Sequence, residues 1–448
     1  MSNSGPGRTV RRTLSDDTLL VFLSDCHIGG DAGRDIFESP DDLTALFDDL
    51  DRHASPVELI LAGDFFDFLR LGHVASGENR AAATISRPEY RALFGALRRL
   101  AAGKDRRVFY MPGNHDAEAW WNAAVRQEIL REGLVHEFTL SYAATFTSAP
   151  DRLVYCEHGN EFDESNTIDN YDDALDTPLG HHVVTEIIPR LPSGGTAAAL
   201  RLNEIDHVFP LSTIPQWAAG RLFYALVTQA MRWLLLPLLV AYIGFEVVAY
   251  LVGIGERAIQ NLFAAIFYYS AIIIFAFALF FFLARRIANR AIKNTPPRND
   301  EATLILRRLQ SGETPPLGTV PGSDIAVWVS GHTHAPALDE FRRPNGRTGV
   351  VVNSGCWLRQ LQPTRAHFRA PAVFVNRFVQ THVRVTLRDA SVAVELWGHP
   401  RPAPQDLLLV ERVAILGRLR VEAEKGGPPR ILASAAAGKS GSSAAPLA

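Results

Sequence analysis

Residues 19–30 read LLVFLSDCHIGG: five apolar residues, then a serine, an aspartate, a histidine two positions further on, and a pair of glycines. An apolar run this short suits a strand covered on both faces. Polar groups that follow directly on such a strand lie where α/β folds place their ligands. The pattern recurs along the chain. Residues 59–62 run into GDFFD (63–67), 108–111 into PGNHD (112–116), 153–156 into EHGN (157–160), 325–329 into SGHTH (330–334) and 350–352 into NSGCW (353–357). Between the early runs, 40–52 and 87–102 carry apolar residues at helical spacing, which predicts an α/β fold.

Composition narrows the setting. A chain of 448 residues can bury a large core, as one large domain or two ordinary ones. Its formal charge of −3, with 21% charged residues, creates no strong overall field, so no nucleic-acid partner is expected. Cys26, Cys156 and Cys356 are too few for a disulfide framework and lack zinc-knuckle spacing; they read as reduced thiols in a cytosolic setting. No apolar run follows Arg8, Arg11 and Arg12, so no secretory signal is expected. Residues 1–17 and 424–448 are polar or small without periodicity and are expected to be disordered.

The interval 170–316 breaks the rhythm. Residues 233–253 are apolar apart from Glu246, and 261–283 contain no ionisable group except tyrosines. Each approaches the roughly 20 residues that cross a bilayer, which predicts a two-helix transmembrane hairpin. Arg221 and Arg232 precede it and Arg285, Arg286, Arg290 and Lys293 follow it, against Arg257 in the connecting loop. That bias places both flanks, and with them both termini, on the cytoplasmic side of the inner membrane. Trp217, Leu222, Phe223, Leu226, Val227 and Met231 read as an amphipathic segment on the inner surface, or as a helix packed on the catalytic part. Glu246 is level with Tyr269 across the hairpin and is expected, protonated, to hydrogen-bond to Tyr269 or Ser270. The catalytic part is then divided into 18–169 and 317–423.

The strand-end motifs carry a definite chemistry. Hydrolysing a phosphate ester near neutral pH calls for an acidified water and for positive charge on the phosphoryl oxygens, which two adjacent cations supply. A carboxylate shared between the ions, other oxygen ligands and imidazoles would hold them. Asp25 and His27 are two apart, so both can turn to one ion. Asp64 follows a strand and a glycine, where a shared ligand would sit. Asn114 offers an amide oxygen, His158 a nitrogen, and His332 and His334 reach from one turn.

The ordered series SDCH, GDFFD, GNHD, EHGN, GHTH resembles the calcineurin-like metallophosphoesterase superfamily over residues 18 to about 165 and 320 to about 400. The resemblance implies a four-layer α/β/β/α sandwich, here interrupted by the hairpin, with the site at the strand ends. It implies that Asp25, His27 and His334 hold one ion and Asn114, His158 and His332 the other, with Asp64 between them. It further implies that His115 protonates the leaving oxygen or steadies the transition state, with Asp116 orienting it. Two divalent ions are implied, with Mn²⁺ favoured and Fe, Zn²⁺ or Mg²⁺ compatible. The expected mechanism is in-line attack on phosphorus by a hydroxide that the ions share.

GDFFDF departs from the element of the protein Ser/Thr phosphatases. SDCHIGG and GDFFD are similar to the bacterial UDP-2,3-diacylglucosamine hydrolases, although those usually carry Arg where this chain has His115. With the hairpin, this favours a lipid-linked or nucleotide-lipid phosphate at the membrane face. A soluble nucleotide or cyclic nucleotide is the alternative, and a catalytically silent membrane scaffold a third. Asn160, Asp163 and Asn166 are read either as substrate contacts or as loop braces. Arg342, Arg343 and Arg347 are read as headgroup contacts or a solvated loop.

Overall fold

Strand β2 (Leu19–Leu23) shows how the core is divided. Leu20 and Phe22 point one way, and Leu19, Val21 and Leu23 the other, as the two-residue period of a strand requires. The first pair packs between two sheets, and the second set packs under helices. The computed structural model describes residues 7–72, 79–190, 201–232, 236–253, scattered positions between 260 and 286, 301–367, 369–416 and 426–438.

In chain order the strands are β1 (Thr9–Leu14), β2, β3 (Val57–Ala62), β4 (Arg106–Met111), β5 (Glu137–Phe138), β6 (Ser141–Phe146) and β7 (Ala149–Cys156). They continue with β8 (Ile325–Ser330), β9 (Ala337–Arg342), β10 (Thr348–Asn353), β11 (Trp357–Thr364), β12 (Val373–Arg388), β13 (Ser391–Gly398) and β14 (Arg430–Ala437). One sheet runs β1-β6-β7-β8-β10-β9 and the other β14-β13-β12-β2-β3-β4-β5, with β11 paired to β12. Strands β2, β3 and β4 are parallel, as are β7, β8 and β10. Their carboxyl ends carry the motifs.

The principal helices are α1 (Pro40–Asp51), α2 (Arg91–Ala102), α3 (Ala123–Arg131), α4 (Ile214–Ala230), α5 (Leu236–Val252), α6 (Glu301–Ser311) and α7 (Leu409–Ala414). Leu43, Phe47, Leu93, Leu97, Val125 and Ile129 from α1, α2 and α3 cover the outer face of the sheet that holds β2. Ile305 and Leu309 of α6 cover Tyr155, Trp328 and Val351 on the other sheet. Helices therefore flank two mixed sheets, in the layered α/β architecture expected. The three cysteines are free and buried.

Three expectations need correction. First, no helix among the described residues is long and apolar enough to cross a membrane. Helix α5 has 17 residues, or about 25 Å at the usual rise, short of a hydrocarbon core of roughly 30 Å. The second expected span, 261–283, lies largely outside the described residues, as do Arg257, Arg285, Arg290, Lys293 and the Glu246–Tyr269 pairing. The multi-pass inner-membrane placement, with the bilayer as partner, is withdrawn.

Second, of the two readings of the amphipathic segment, the helix packed on the catalytic part is the one found, as α4. Trp217 is buried with Val208, Leu361 and Phe374, and Phe223 and Tyr224 with Val373, Val375 and Ile415. Arg221, counted as a positive flank, is buried between Glu411 at 3.2 Å and Glu204 at 3.1 Å.

Third, the stretches expected to be disordered contain β1 and β14. Thr9–Leu14 pairs in parallel with Ser141–Phe146, and Arg12 reaches the buried Glu58 at 2.9 Å. Val10 and Leu14 sit in the core between the sheets. Leu14→Ala is accordingly expected to lower stability by about 2–5 kcal/mol, the usual loss for a buried leucine. An unchanged urea midpoint would show that the arm does not belong to the core.

Candidate metal centre

Strands β2, β3 and β8 each end in a turn that drives the next residues into unusual backbone geometry. Asp25, His27, Asp64, His332 and His334 all have positive φ, between 51° and 64°. Side chains with a Cβ rarely occupy this region, and each instance costs on the order of 1–3 kcal/mol unless its surroundings hold it there. Here the turns hold one another. Asp25 N donates to Gly63 O (3.0 Å), His27 N to Asp64 O (2.9 Å), Gly331 N to His158 O (2.8 Å) and Trp357 N to Asp25 O (3.1 Å). A Cβ on Gly63, itself at φ +93°, would overlap the His158 imidazole, and one on Gly331 would overlap the Asp25 carboxylate. Only glycine lets these side chains approach so closely.

The result is a convergence of six of the seven expected ligands, Asp25, His27, Asp64, His158, His332 and His334, and Asn114 follows Gly113, whose Cβ would overlap Asp64 and His158. His334 Nε2 lies 3.1 Å from Asp25 Oδ1 and 3.1 Å from His27 Nε2, which is 3.9 Å from Asp25 Oδ1. Asp64 Oδ2 lies 3.7 Å from His27 Nε2 and 3.4 Å from His158 Nε2, between the two histidines. Three groups have ligand atoms close enough to hold a metal ion: Asp25, His27 and His334; His27, Asp64 and His115; and Asp64, His158 and His332. Ligands about 2.1 Å from a common cation lie about 3.0–3.4 Å apart, a spacing that His334 keeps to both Asp25 and His27, while His27 and Asp25 stand wider at 3.9 Å.

Surrounding groups turn the lone pairs inward. His158 Nδ1 donates to Ala62 O (2.9 Å) and His27 Nδ1 to Asp67 Oδ2 (3.3 Å), which frees both Nε2 atoms for the centre. His332 Nε2 engages Asp163 Oδ2 at 3.2 Å, which leaves Nδ1 as its open nitrogen. Asp25 Oδ2 accepts from Ser24 Oγ and from His332 N. Asp25 Oδ1, Asn114 Oδ1 and His158 Nε2 remain buried without a hydrogen-bond partner. Buried polar atoms are almost always satisfied. Three left open on one centre of carboxylate, amide and imidazole fit divalent cations in their chemistry.

His115 joins the centre, but its carboxylate differs from the expected one. Its Nδ1 meets Asp67 Oδ1 at 3.1 Å, and its backbone N donates to Asp64 Oδ1 at 2.8 Å. Asp116 instead accepts from Tyr110 Oη and from the backbone N of Phe65, Phe66 and Gly113, and so fastens the GDFFD turn to the GNHD turn. It orients the loop and makes no contact with the His115 ring. Asp67 had been quoted only as the last letter of GDFFD. Burial opposes its charge, but His115, His27 and Arg70 hold it well below the usual carboxylate range. Burial opposes protonation of His115, yet Asp67 and Asp64 raise it to about 9.

The neighbouring loops are braces. Asp163 accepts from Ser165 N, Ser165 Oγ and Asn166 Nδ2, Asn166 Oδ1 accepts from Asn114 Nδ2 (3.4 Å), and Asn160 is held by Tyr171. Asp163 is thereby the carboxylate behind His332. Arg343 donates to the carbonyls of Ser323 and Asp324, and Arg347 pairs with Asp151. These two arginines tie down the region after GHTH.

Residues 18–209 match the calcineurin-like phosphoesterase family. The match to a phosphoesterase domain implies metal-dependent phosphoester hydrolase activity, and the His and Asp groups that could hold metal ions agree with it. His332 and His334 lie beyond the matched residues, and the fold brings them to it. None of the curated proteins matches the chain.

Protons and cations compete for this centre. Burial opposes the charge on His158, but Asp64 and Asp25 raise it to about 10, so it holds a proton at neutral pH when no cation is bound. Cation uptake displaces that proton. Mn²⁺ affinity measured by calorimetry is therefore expected to rise about tenfold per pH unit for each proton displaced, from about pH 6 to 8. An affinity independent of pH would contradict this proton balance.

Proposed function

We propose that the protein hydrolyses a phosphodiester or pyrophosphate ester at two divalent cations, with Mn²⁺ the favoured ion. The observation that carries the reading is the clustering of ligand atoms of Asp25, His27 and His334, of His27, Asp64 and His115, and of Asp64, His158 and His332, each group within 4.8 Å. Asp25, His27 and His334 would hold one cation, Asn114, His158 and His332 the other, and Asp64 Oδ2 would serve both. When bound, such ions acidify water and draw charge from the phosphoryl oxygens.

The chain itself supplies the proton. With Nδ1 held by Asp67, His115 presents Nε2 to the centre, and the pair of carboxylates keeps the ring charged at neutral pH. In this reading Nε2 gives its proton to the departing oxygen, and Asp67 keeps the ring in the orientation that allows it. The arrangement resembles an imidazole held by a carboxylate in other general acids, with the roles of ring and carboxylate separated by the same hydrogen bond.

Two clefts border the centre and support a substrate with a group on each side of phosphorus. One, of about 300 Å³, is lined by Phe162, Asp163, Phe209, Leu211, Glu301 and His332. The other, of about 50 Å³, is lined by Leu69, Asn114, His115, Trp121 and Tyr171. In-line displacement separates the entering and departing groups. The departing group would lie on the His115 side and the retained organic group in the larger, partly aromatic cleft. A lipid-linked substrate was favoured chiefly by the hairpin, and with that withdrawn the reading rests on the site alone.

His115→Ala is expected to slow hydrolysis of an alkyl aryl phosphodiester at its poorer leaving group by about 10²–10⁴-fold, and to slow bis(p-nitrophenyl) phosphate much less. Equal losses for both substrates would remove His115 from proton donation. Absence of Mn²⁺-dependent turnover by the unmodified protein would overturn the reading as a whole.

A further inference from the structure

The segment 201–213 lies outside every motif of the site, yet two of its side chains reach into it. Asp206, in the 3₁₀ turn Leu202–His207, accepts from Arg70 NH1 at 2.7 Å. Arg70 Nε donates to Asp67 Oδ2 at 2.8 Å. Asp67 in turn holds His115 through Oδ1 and His27 through Oδ2. Three residues further along, the Phe209 ring stacks on His334 with centroids 4.6 Å apart.

These contacts form a continuous brace. The Arg70 guanidinium is 4% exposed and Asp67 is fully buried, so neither charge is compensated by water. A planar guanidinium that binds through Nε and NH1 fixes both carboxylates in direction as well as distance. Arg70 and Asp67 belong to one turn, so their pair alone could shift as a unit. Asp206 supplies the outside anchor, and its own segment is pinned. Val208 forms a bridge with Leu361, Phe209 N donates to Leu361 O (3.1 Å), and both ring nitrogens of His207 meet Arg359. Strand β11 thereby sets where Asp206 stands.

We propose that the 201–213 segment is a working part of the active site: Asp206, acting through Arg70, is a positioning residue for the Asp67–His115 pair, and Phe209 braces His334. This rests on the reading of His115 as proton donor to the departing oxygen. Loss of the outer anchor lets the Asp67 carboxylate turn, and the His115 ring with it. Proton delivery then suffers more than cation binding does, because of the expected cation ligands Asp67 hydrogen-bonds only His27, through Nδ1, the ring nitrogen turned away from the centre.

The test uses the full chain loaded with Mn²⁺ and a set of aryl methyl phosphates whose leaving groups run from p-nitrophenol to unsubstituted phenol. Asp206→Ala and Arg70→Lys are expected to lower kcat for the phenol ester by about 10–100-fold, the usual effect of removing a supporting hydrogen bond, while the nitrophenol ester falls much less. Asp206→Glu is expected to recover part of the loss, and the manganese content to stay at the unmodified level. Equal losses across all leaving groups, or none, would overturn the positioning role even if the thermal midpoint falls. If the unmodified protein shows no Mn²⁺-dependent turnover, the fault lies with the proposed function. In that case manganese content still distinguishes the two: a loss of manganese in Asp206→Ala would contradict a brace confined to the proton donor.

Discussion

Everything in the catalytic half hangs on the backbone hydrogen bonds that join one strand end to the next. They hold Asp25, His27, Asp64, His332 and His334 in left-handed geometry, a conformation that isolated residues of these types avoid. Five such positions in one site store several kcal/mol on a rough count of 1–3 each. That strain persists because the parallel strands beneath are buried on both faces and cannot shift without opening two cores. The sandwich is thus the support that makes the side-chain geometry rigid.

Rigid support explains why the electrostatics stay unbalanced. Asp25, Asp64 and Asp67 are buried within a few ångströms of His27, His115 and His158. A flexible site would relax such a crowd by moving side chains to water. Here the buried carboxylates favour protons on the imidazoles, raising His158 to about 10 and His115 to about 9, and Arg70 offsets the charge on Asp67. Cations with oxygen and nitrogen preferences replace those protons when they bind. Asp67 stands apart from this exchange, since its partners are a ring outside the expected ligand set, the far nitrogen of His27 and the Arg70 guanidinium.

Much of this was legible in the residues. The runs before SDCH, GDFFD, PGNHD, EHGN, SGHTH and NSGCW all became strands, because three to five apolar residues bounded by glycine and polar groups leave little choice. The strand ends then brought Asp25, His27, Asp64, His158, His332 and His334 together. What stayed hidden depends on three-dimensional proximity. Asp116 follows His115 in the chain, but the turn sends its carboxylate to the loop backbone, and Asp67 arrives at the ring from another strand end. The termini misled for a related reason. TVRRTL looks like a charged arm until Arg12 is seen to pair with Glu58, which Tyr142 also holds at 2.5 Å. Apolar length misled in the interval 233–253, where the described helix covers Leu236–Val252 and no helix among the described residues is long and apolar enough to cross a membrane.

The central claim is that one rigid set of strand ends holds two cations within reach of one shared carboxylate oxygen. Electron paramagnetic resonance on the Mn²⁺-loaded protein, with manganese content determined on the same sample, tests it most directly. Two Mn²⁺ per chain with a spin-coupled spectrum are expected, and Asp64→Ala should abolish the coupling. A single ion per chain, or two ions with uncoupled spectra, would contradict the account.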